Sequence, residues 1–419
     1  MRVLLLNTTP TPKVFKTFNL SGSYVGSGWV EEVIEFLQRT QEVSFGCFWT
    51  VDDIKEVKNG NVHYYVIPAA SADLNGINDN TRKYLQWIFE RSKPDVVHIF
   101  GTEHEWTKEA LKIVDPRRTV VHITGLVSMC ALHYYGGLRD KEIRVATLRD
   151  LLKGGIRTGR KNFEKNSITE RESLLLAKQV MGRTSWDRAC ILQVNGNLKY
   201  YACNEMLRKV FYEQHWKLET CEKHRLFVST GNYPLKGVHN AIKATAIIKM
   251  RYPDVKLVVA GNDITRNDTI KDKLSRTSYG KYIRKLIRKY GLEKNVYFIG
   301  PQNVDQMVEQ YLKANVYVLP SAIENSPNSL GEAMLLGVPC VAAFVGGVQD
   351  LLTDRQEGFL YPFDEPYMLA YYVMRYFENS EEAIRMGENA RKRAQVTHSR
   401  EDICHRLLEI YQDIISNNP

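Results

Sequence analysis

The feature that most restricts the fold is a series of short apolar runs, rich in β-branched residues, that are continuous rather than alternating. Val3–Leu6, Val43–Phe48, His63–Ile67, Val96–Phe100 and Val120–Ile123 occupy the first half of the chain. Leu226–Val228, Val255–Ala260, Val296–Ile299, Val316–Leu319, Val338–Ala342 and Phe359–Tyr361 occupy the second. Strands buried on both faces read this way. Most runs are separated by segments of helical period, such as 238–250, where Val238, Ala241, Ile242, Ala244, Ala246, Ile247 and Ile248 cover a broad face. Strand and helix in alternation predict an α/β chain of parallel, doubly wound sheets flanked by helices. Such sheets take ligands at the carboxyl ends of their strands.

The alternation stops between about Tyr200 and Lys223, so the expected organisation is two Rossmann-like domains, 1–205 and 206–395, with a C-terminal helix, 396–419, packed back on the first. A length of 419 residues with 44% hydrophobic and 25% charged residues suits two globular domains and excludes a small disulfide scaffold or a disordered chain. The seven cysteines are odd in number and scattered, without C-x-x-C, and read as reduced thiols. The start MRVLLLNTTP is too short in apolar run for a signal peptide, and no stretch is long enough to span a bilayer, so a cytoplasmic protein is expected. The net charge of +9 favours an anionic partner without saying which.

The chemistry is concentrated in VYVLPSAIENSPNSLGEAMLLGVPCVAAFVGG, residues 316–347. A buried strand ends at Pro320, a loop follows through Glu324, Asn325, Ser326, Pro327 and Asn328, and a helix starts near Ser329 and stops at Gly337. Free N–H groups at that helix start, with the Ser326 and Ser329 hydroxyls, suit a phosphate. Glu324 and Glu332 bracket the site with seven residues between them. Carboxylates beside a phosphate site call for hydroxyl donors, so the ligand expected is a phosphate carrying polyols. The plain alternative for either Glu is an acidic residue favoured by the helix dipole.

This block, with Glu-x₇-Glu followed by EAM, G-x-P and Gly346–Gly347, resembles the retaining glycosyltransferases of family 4. The resemblance implies a GT-B fold, two Rossmann-like domains facing across a cleft, the first on the acceptor side and the second binding a nucleotide-sugar. It places Glu324 by the donor hexose and Glu332 on the ribose, with Pro327, Ser329 and Leu330 around the donor. Lys236, in STGNYPLKG, resembles the family's diphosphate-binding lysine, near Gly231 and Asn232. The family's Arg after that glycine is absent, and which cation takes its place is open. Gly26–Ser27–Gly28 resembles the family's glycine pair beside the donor. Alone, it is a loop.

Many retaining members carry a His after a first-domain strand. Here that place falls at Thr124 or Gly125, while His122 lies within the strand and reads as core, leaving His104, expected as the catalytic candidate, with His133 as the other cleft histidine and Arg183 as a further cleft residue. The expected reaction is retaining transfer of a hexose-type sugar from a nucleotide-diphosphate sugar, a UDP-sugar first, to a polysaccharide or lipid-linked acceptor in cell-surface glycan synthesis. No D-x-D occurs, and neither metal nor cofactor is expected. A basic segment, 138–165, with Ile143, Val145, Leu148, Leu151 and Leu152, reads either as a peripheral contact with the inner membrane face or as a surface helix with its apolar side inward. A sugar-nucleotide epimerase or an inverting GT-B transferase is the alternative enzyme. A nucleic-acid binder is disfavoured, because the basic residues are spread over both halves without a motif.

Overall fold

Fourteen strands form two sheets in the computed structural model, which describes residues 1–21, 28–69, 77–144 and 147–417. The first sheet comprises β1 (Arg2–Asn7), β2 (Glu42–Trp49), β3 (Lys55–Asn59), β4 (Val62–Pro68), β5 (Val96–Phe100), β6 (Thr119–His122), β7 (Gln179–Gly182) and β8 (Lys199–Ala202). Their spatial order is β3-β4-β2-β1-β5-β6-β7-β8, parallel throughout except for β3 against β4. The second sheet comprises β9 (Arg225–Val228), β10 (Lys256–Val259), β11 (Val296–Phe298), β12 (Val316–Leu319), β13 (Cys340–Ala343) and β14 (Phe359–Tyr361). Its order is β11-β10-β9-β12-β13-β14, all parallel. In both sheets the order reverses beside the first strand, which is the doubly wound pattern expected.

Three strands lay outside the apolar runs. β3 is an exposed edge with charged residues, and β7 and β8 are short. β8 reaches into the segment expected to be free of strands because it closes the sheet's other edge, with only Tyr201 buried.

The chain divides into two compact units, one of 1–128, 165–208 and 398–419, the other of 129–164 and 209–397. A boundary at 205 therefore misplaces 129–164. Tyr134, Leu138, Ile143 and Ile156 bury among Val238, Tyr279 and Tyr282, in the core of the second unit. The Gly136 carbonyl accepts from His239 Nε2 at 2.8 Å, and a Cβ on Gly136, whose φ is +56°, would sit 2.4 Å from the Pro234 oxygen. Segment 129–164 is thus seated at the turn that carries Lys236.

The final segment forms two helices, Ser380–Thr397 and Arg400–Ser416, divided where Ser399 caps the second. Ile384 is 41% exposed. Ile403, Leu407, Ile410 and Tyr411 pack into the core of the first unit with Val3, Leu5 and Val96. Among the described residues no helix is long and apolar enough to cross a membrane.

Buried polar groups tie the first unit together. His98 Nδ1 lies 2.6 Å from Tyr411 Oη, His98 Nε2 3.3 Å from His122 Nδ1, and Glu205 pairs with Arg183 at 3.0 Å. Burial holds His98 well below the ordinary histidine range. Glu170, on the helix Ile156–Leu176, accepts from the Val127 and Ser128 amides at 2.7 and 3.2 Å and from the Ser128 hydroxyl. Burial pushes its carboxyl up to about 7 against the pull of those donors, and the Glu103 charge pushes the same way. The folded chain therefore holds a proton that the unfolded chain releases above about 4.5, so stability falls as pH rises from there through about 7. Wild type should lose about 3 kcal/mol more than Glu170→Gln across that window in denaturant unfolding. Parallel pH profiles for the two proteins would refute it.

Candidate functional site

The loop and helix after β12 form as their residues dictate. The strand is buried on both faces and stops at Pro320. Pro327 caps the helix Asn328–Leu336 without a side-chain acceptor, and Gly337, at φ +80°, ends it by donating to the Ala333 and Met334 carbonyls. In the helix's first turn the Leu330 amide donates to the Pro327 carbonyl at 2.9 Å.

Lys236 reaches the start of this helix from β9. A single 3₁₀ turn, Pro234–Lys236, precedes Gly237, which starts the helix Val238–Lys249 from a left-handed conformation at φ +66°. A Cβ on Gly237 would lie 1.7 Å from the Pro320 oxygen, and the Ala322 amide donates to the Leu235 carbonyl at 2.8 Å. The lysine turn and the glutamate loop are thus clamped backbone to backbone. Gly346, at φ +51°, clamps the other side: its Cβ would meet the Glu324 oxygen at 2.0 Å, and the Gly347 amide donates to that same oxygen at 3.1 Å.

Lys236 Nζ and Glu324 Oε1 are 2.6 Å apart, with both side chains largely buried. Burial works to lower the lysine's pKa, but the charge and hydrogen bond of Glu324, aided by Tyr233, outweigh it and hold the group above its ordinary range. The site keeps its cation at any physiological pH. Lys236, Glu324, Pro327, Asn328 and Ser329 line one pocket of about 130 Å³ at the ends of β9 and β12. Ser326 Oγ, beside it in sequence, is buried with no hydrogen-bond partner among the described residues.

The other expected residues are distributed more widely. Leu330 is buried in the same helix. Glu332 is 7% exposed, takes the Tyr311 hydroxyl at 3.3 Å and is not among the pocket's lining residues. Gly231 packs against Val238 and Val259, while Asn232 lines a second pocket, of about 240 Å³, with Tyr134, Tyr233, Arg149 and Lys153.

In the first unit, His104 follows β5, stacks on Trp106 and lies 2.7 Å from Thr8 Oγ1. Gly28 begins the helix Gly28–Leu37 against Arg208; Gly26 and Ser27 lie outside the described residues. Arg183 does not point into open space but is buried in its pair with Glu205, because its guanidinium also satisfies the Thr124 carbonyl at 3.0 Å. His122 is likewise core, edge-on to Trp29, and His133 is exposed. Among the described residues no group of three or more His, Cys, Asp or Glu could hold a metal ion.

Two residues escaped the sequence. Tyr311, whose hydroxyl also donates to the Ser329 carbonyl at 3.0 Å, looked like one more apolar position of the helix Val304–Lys313. Arg149 sits beside Asn232 although more than 80 residues separate them, and only the fold brings them to one pocket.

A cation and a helix start lining one pocket at the ends of parallel strands is an arrangement suited to an anionic ligand on a Rossmann-like domain. Known families narrow that class: residues 210–393 match the family described as glycosyl transferases group 1. D-inositol 3-phosphate glycosyltransferase of Corynebacterium glutamicum is 29% identical over 186 residues, 44% of this chain but only 42% of that relative. N-acetyl-alpha-D-glucosaminyl L-malate synthase of Bacillus anthracis is 27% identical over 136 residues, 32% of this chain and 35% of the relative. The chain thus spans well under half the length of these relatives. Among solved structures, sucrose-phosphate synthase of Thermosynechococcus elongatus superposes with a TM-score of 0.69 at 16% identity, over 99% of both chains. Anabaena HepE in complex with UDP-glucose gives 0.66 at 17% identity, over 98% of this chain and 99% of that one. The fold is GT-B.

Gly237→Ala should cost about 2 kcal/mol or more in unfolding free energy, since the new methyl meets the Pro320 carbonyl in a backbone conformation that alanine resists. An unchanged melting curve would contradict the clamp.

Proposed function

We propose that the chain is a retaining glycosyltransferase of the family 4 type. It moves a hexose-type sugar from a nucleotide-diphosphate sugar, a UDP-sugar first, to a glycan or lipid-linked acceptor in cell-surface glycan synthesis. The observation that carries this reading is the Lys236–Glu324 pair lining one small pocket together with Pro327, Asn328 and Ser329 at the start of the helix Asn328–Leu336. The match of residues 210–393 to the glycosyl transferases group 1 family supports it, as does HepE, crystallised with UDP-glucose.

In this reading the diphosphate sits on the helix tip and Lys236. As the glycosidic bond breaks, negative charge grows on the departing phosphate oxygen, and a fixed ammonium and first-turn amides stabilise it without reorganising. Glu324 turns its free carboxylate oxygen toward hexose hydroxyls while the other keeps Lys236 in place. Glu332, steadied by Tyr311, takes the ribose hydroxyls. The leaving phosphate oxygen accepts the acceptor's proton on the same face, so the configuration is retained and no protein base is required. Arg149 is the cation nearest in kind to the family's missing arginine, because it shares a pocket with Asn232. No metal or cofactor is given a role.

Lys236→Ala should lower turnover by roughly 10²–10³-fold while leaving donor hydrolysis stereochemistry unchanged, as for loss of one preorganised donor to a developing anion. Near-normal turnover would reject the role. In a thermal-shift screen, UDP should raise the melting temperature more than GDP or ADP, on the order of 3 kcal/mol of added stability at a hundred times its dissociation constant. A larger shift with a purine nucleotide would overturn the choice of uridine, and an inverted product would overturn the mechanism.

A further inference from the structure

Two short helices of the second unit turn their apolar sides outward. In Leu148–Lys153 the residues Leu148, Leu151 and Leu152 share one face, and in Ile270–Ser275 the residues Ile270 and Leu274 do the same. All five are more than half exposed, from 51% at Leu274 to 86% at Leu152, and the two helices pack beside one another. A helix on a globular domain normally faces its apolar stripe to the core. Here the polar side is the anchored one. Asp150 is buried and accepts the Ser278 amide at 2.5 Å, Thr147 caps the first helix, and Thr269 and Asp272 form a capping box on the second. Ile143, from the same basic segment, does enter the core, so the outward leucines are a local choice of the fold.

Charge says what covers this patch. Residues 138–165 carry nine Lys and Arg against four Asp and Glu, a net +5 out of the chain's +9, and residues 266–276 add four against two. Lys153, Lys271 and Lys273 flank the five aliphatic residues on the same two helices. Aliphatic tips surrounded by ammonium groups match a bilayer whose acyl boundary lies just beneath anionic headgroups. A protein partner would have to supply acidic residues around an apolar groove, and a second copy of this chain would bring like charge to like.

We infer that the paired helices Leu148–Lys153 and Ile270–Ser275 are a docking surface for an anionic lipid membrane. Leu148, Leu151, Leu152, Ile270 and Leu274 enter the interface and the flanking lysines hold the headgroups. The inference stands apart from the proposed sugar transfer, since vesicle binding requires no donor and no turnover.

Flotation with phosphatidylcholine vesicles, with and without 30% phosphatidylglycerol, tests it. Wild type should float with the anionic vesicles on the order of tenfold more than with the neutral ones, less so at high salt. Leu151→Glu/Leu152→Glu and, separately, Leu274→Glu should abolish flotation while keeping the wild-type melting temperature, because these side chains are exposed. Equal flotation of wild type and both variants, or none with anionic vesicles, would overturn the assignment. So would a wild-type dimer in sedimentation that both variants break while vesicle binding stays as it was.

Discussion

The site depends on keeping one positive charge in a place that does not favour it. An ammonium group removed from water costs free energy unless an opposite charge or well-placed acceptors compensate. Glu324 supplies that charge 2.6 Å away, and the backbone around it is built to hold the distance. Gly237 meets the Pro320 oxygen on one side and Gly346 the Glu324 oxygen on the other, with a left-handed conformation at each glycine. A side chain at either position would push the two loops apart. The lysine engages one of the carboxylate's two oxygens, Oε1.

The second unit was the more legible from sequence because its signals are local. A buried strand, a loop with Pro327, a helix closed by Gly337 and a lysine beside a glycine all lie within short windows, and the structure forms each where expected. The helix Ser278–Lys289 likewise buries Tyr282, Ile283, Leu286 and Ile287 as its period demands. What stayed hidden was long-range. Arg149 and Asn232 meet only because segment 129–164 crosses to the other unit, and no spacing in a chain announces such an exchange. β3 escaped because an exposed edge strand needs no apolar run.

The histidines were ambiguous for a related reason. A histidine at a strand end has the same letters around it whether it faces substrate or core. His122 proved to be packed among His98, Phe100 and Trp29, and Arg183 to be neutralised by Glu205. The leucines of 148–152 were open in the sequence too, since amphipathic spacing fixes that one face is apolar but not which way that face turns. There a single buried carboxylate, Asp150, decides the orientation through the Ser278 amide.

The first unit is assembled from three stretches that the other unit's residues interrupt, and its last stretch supplies Tyr411 to His98 and a row of aliphatic residues to the central strands. On a ribosome these strands emerge long before the helix that covers them. The side that helix covers therefore stays open while the whole of 209–397 is synthesised. The nascent chain must carry an open, apolar sheet for most of its synthesis, so the last helix acts as the closing stitch of the earliest-made half.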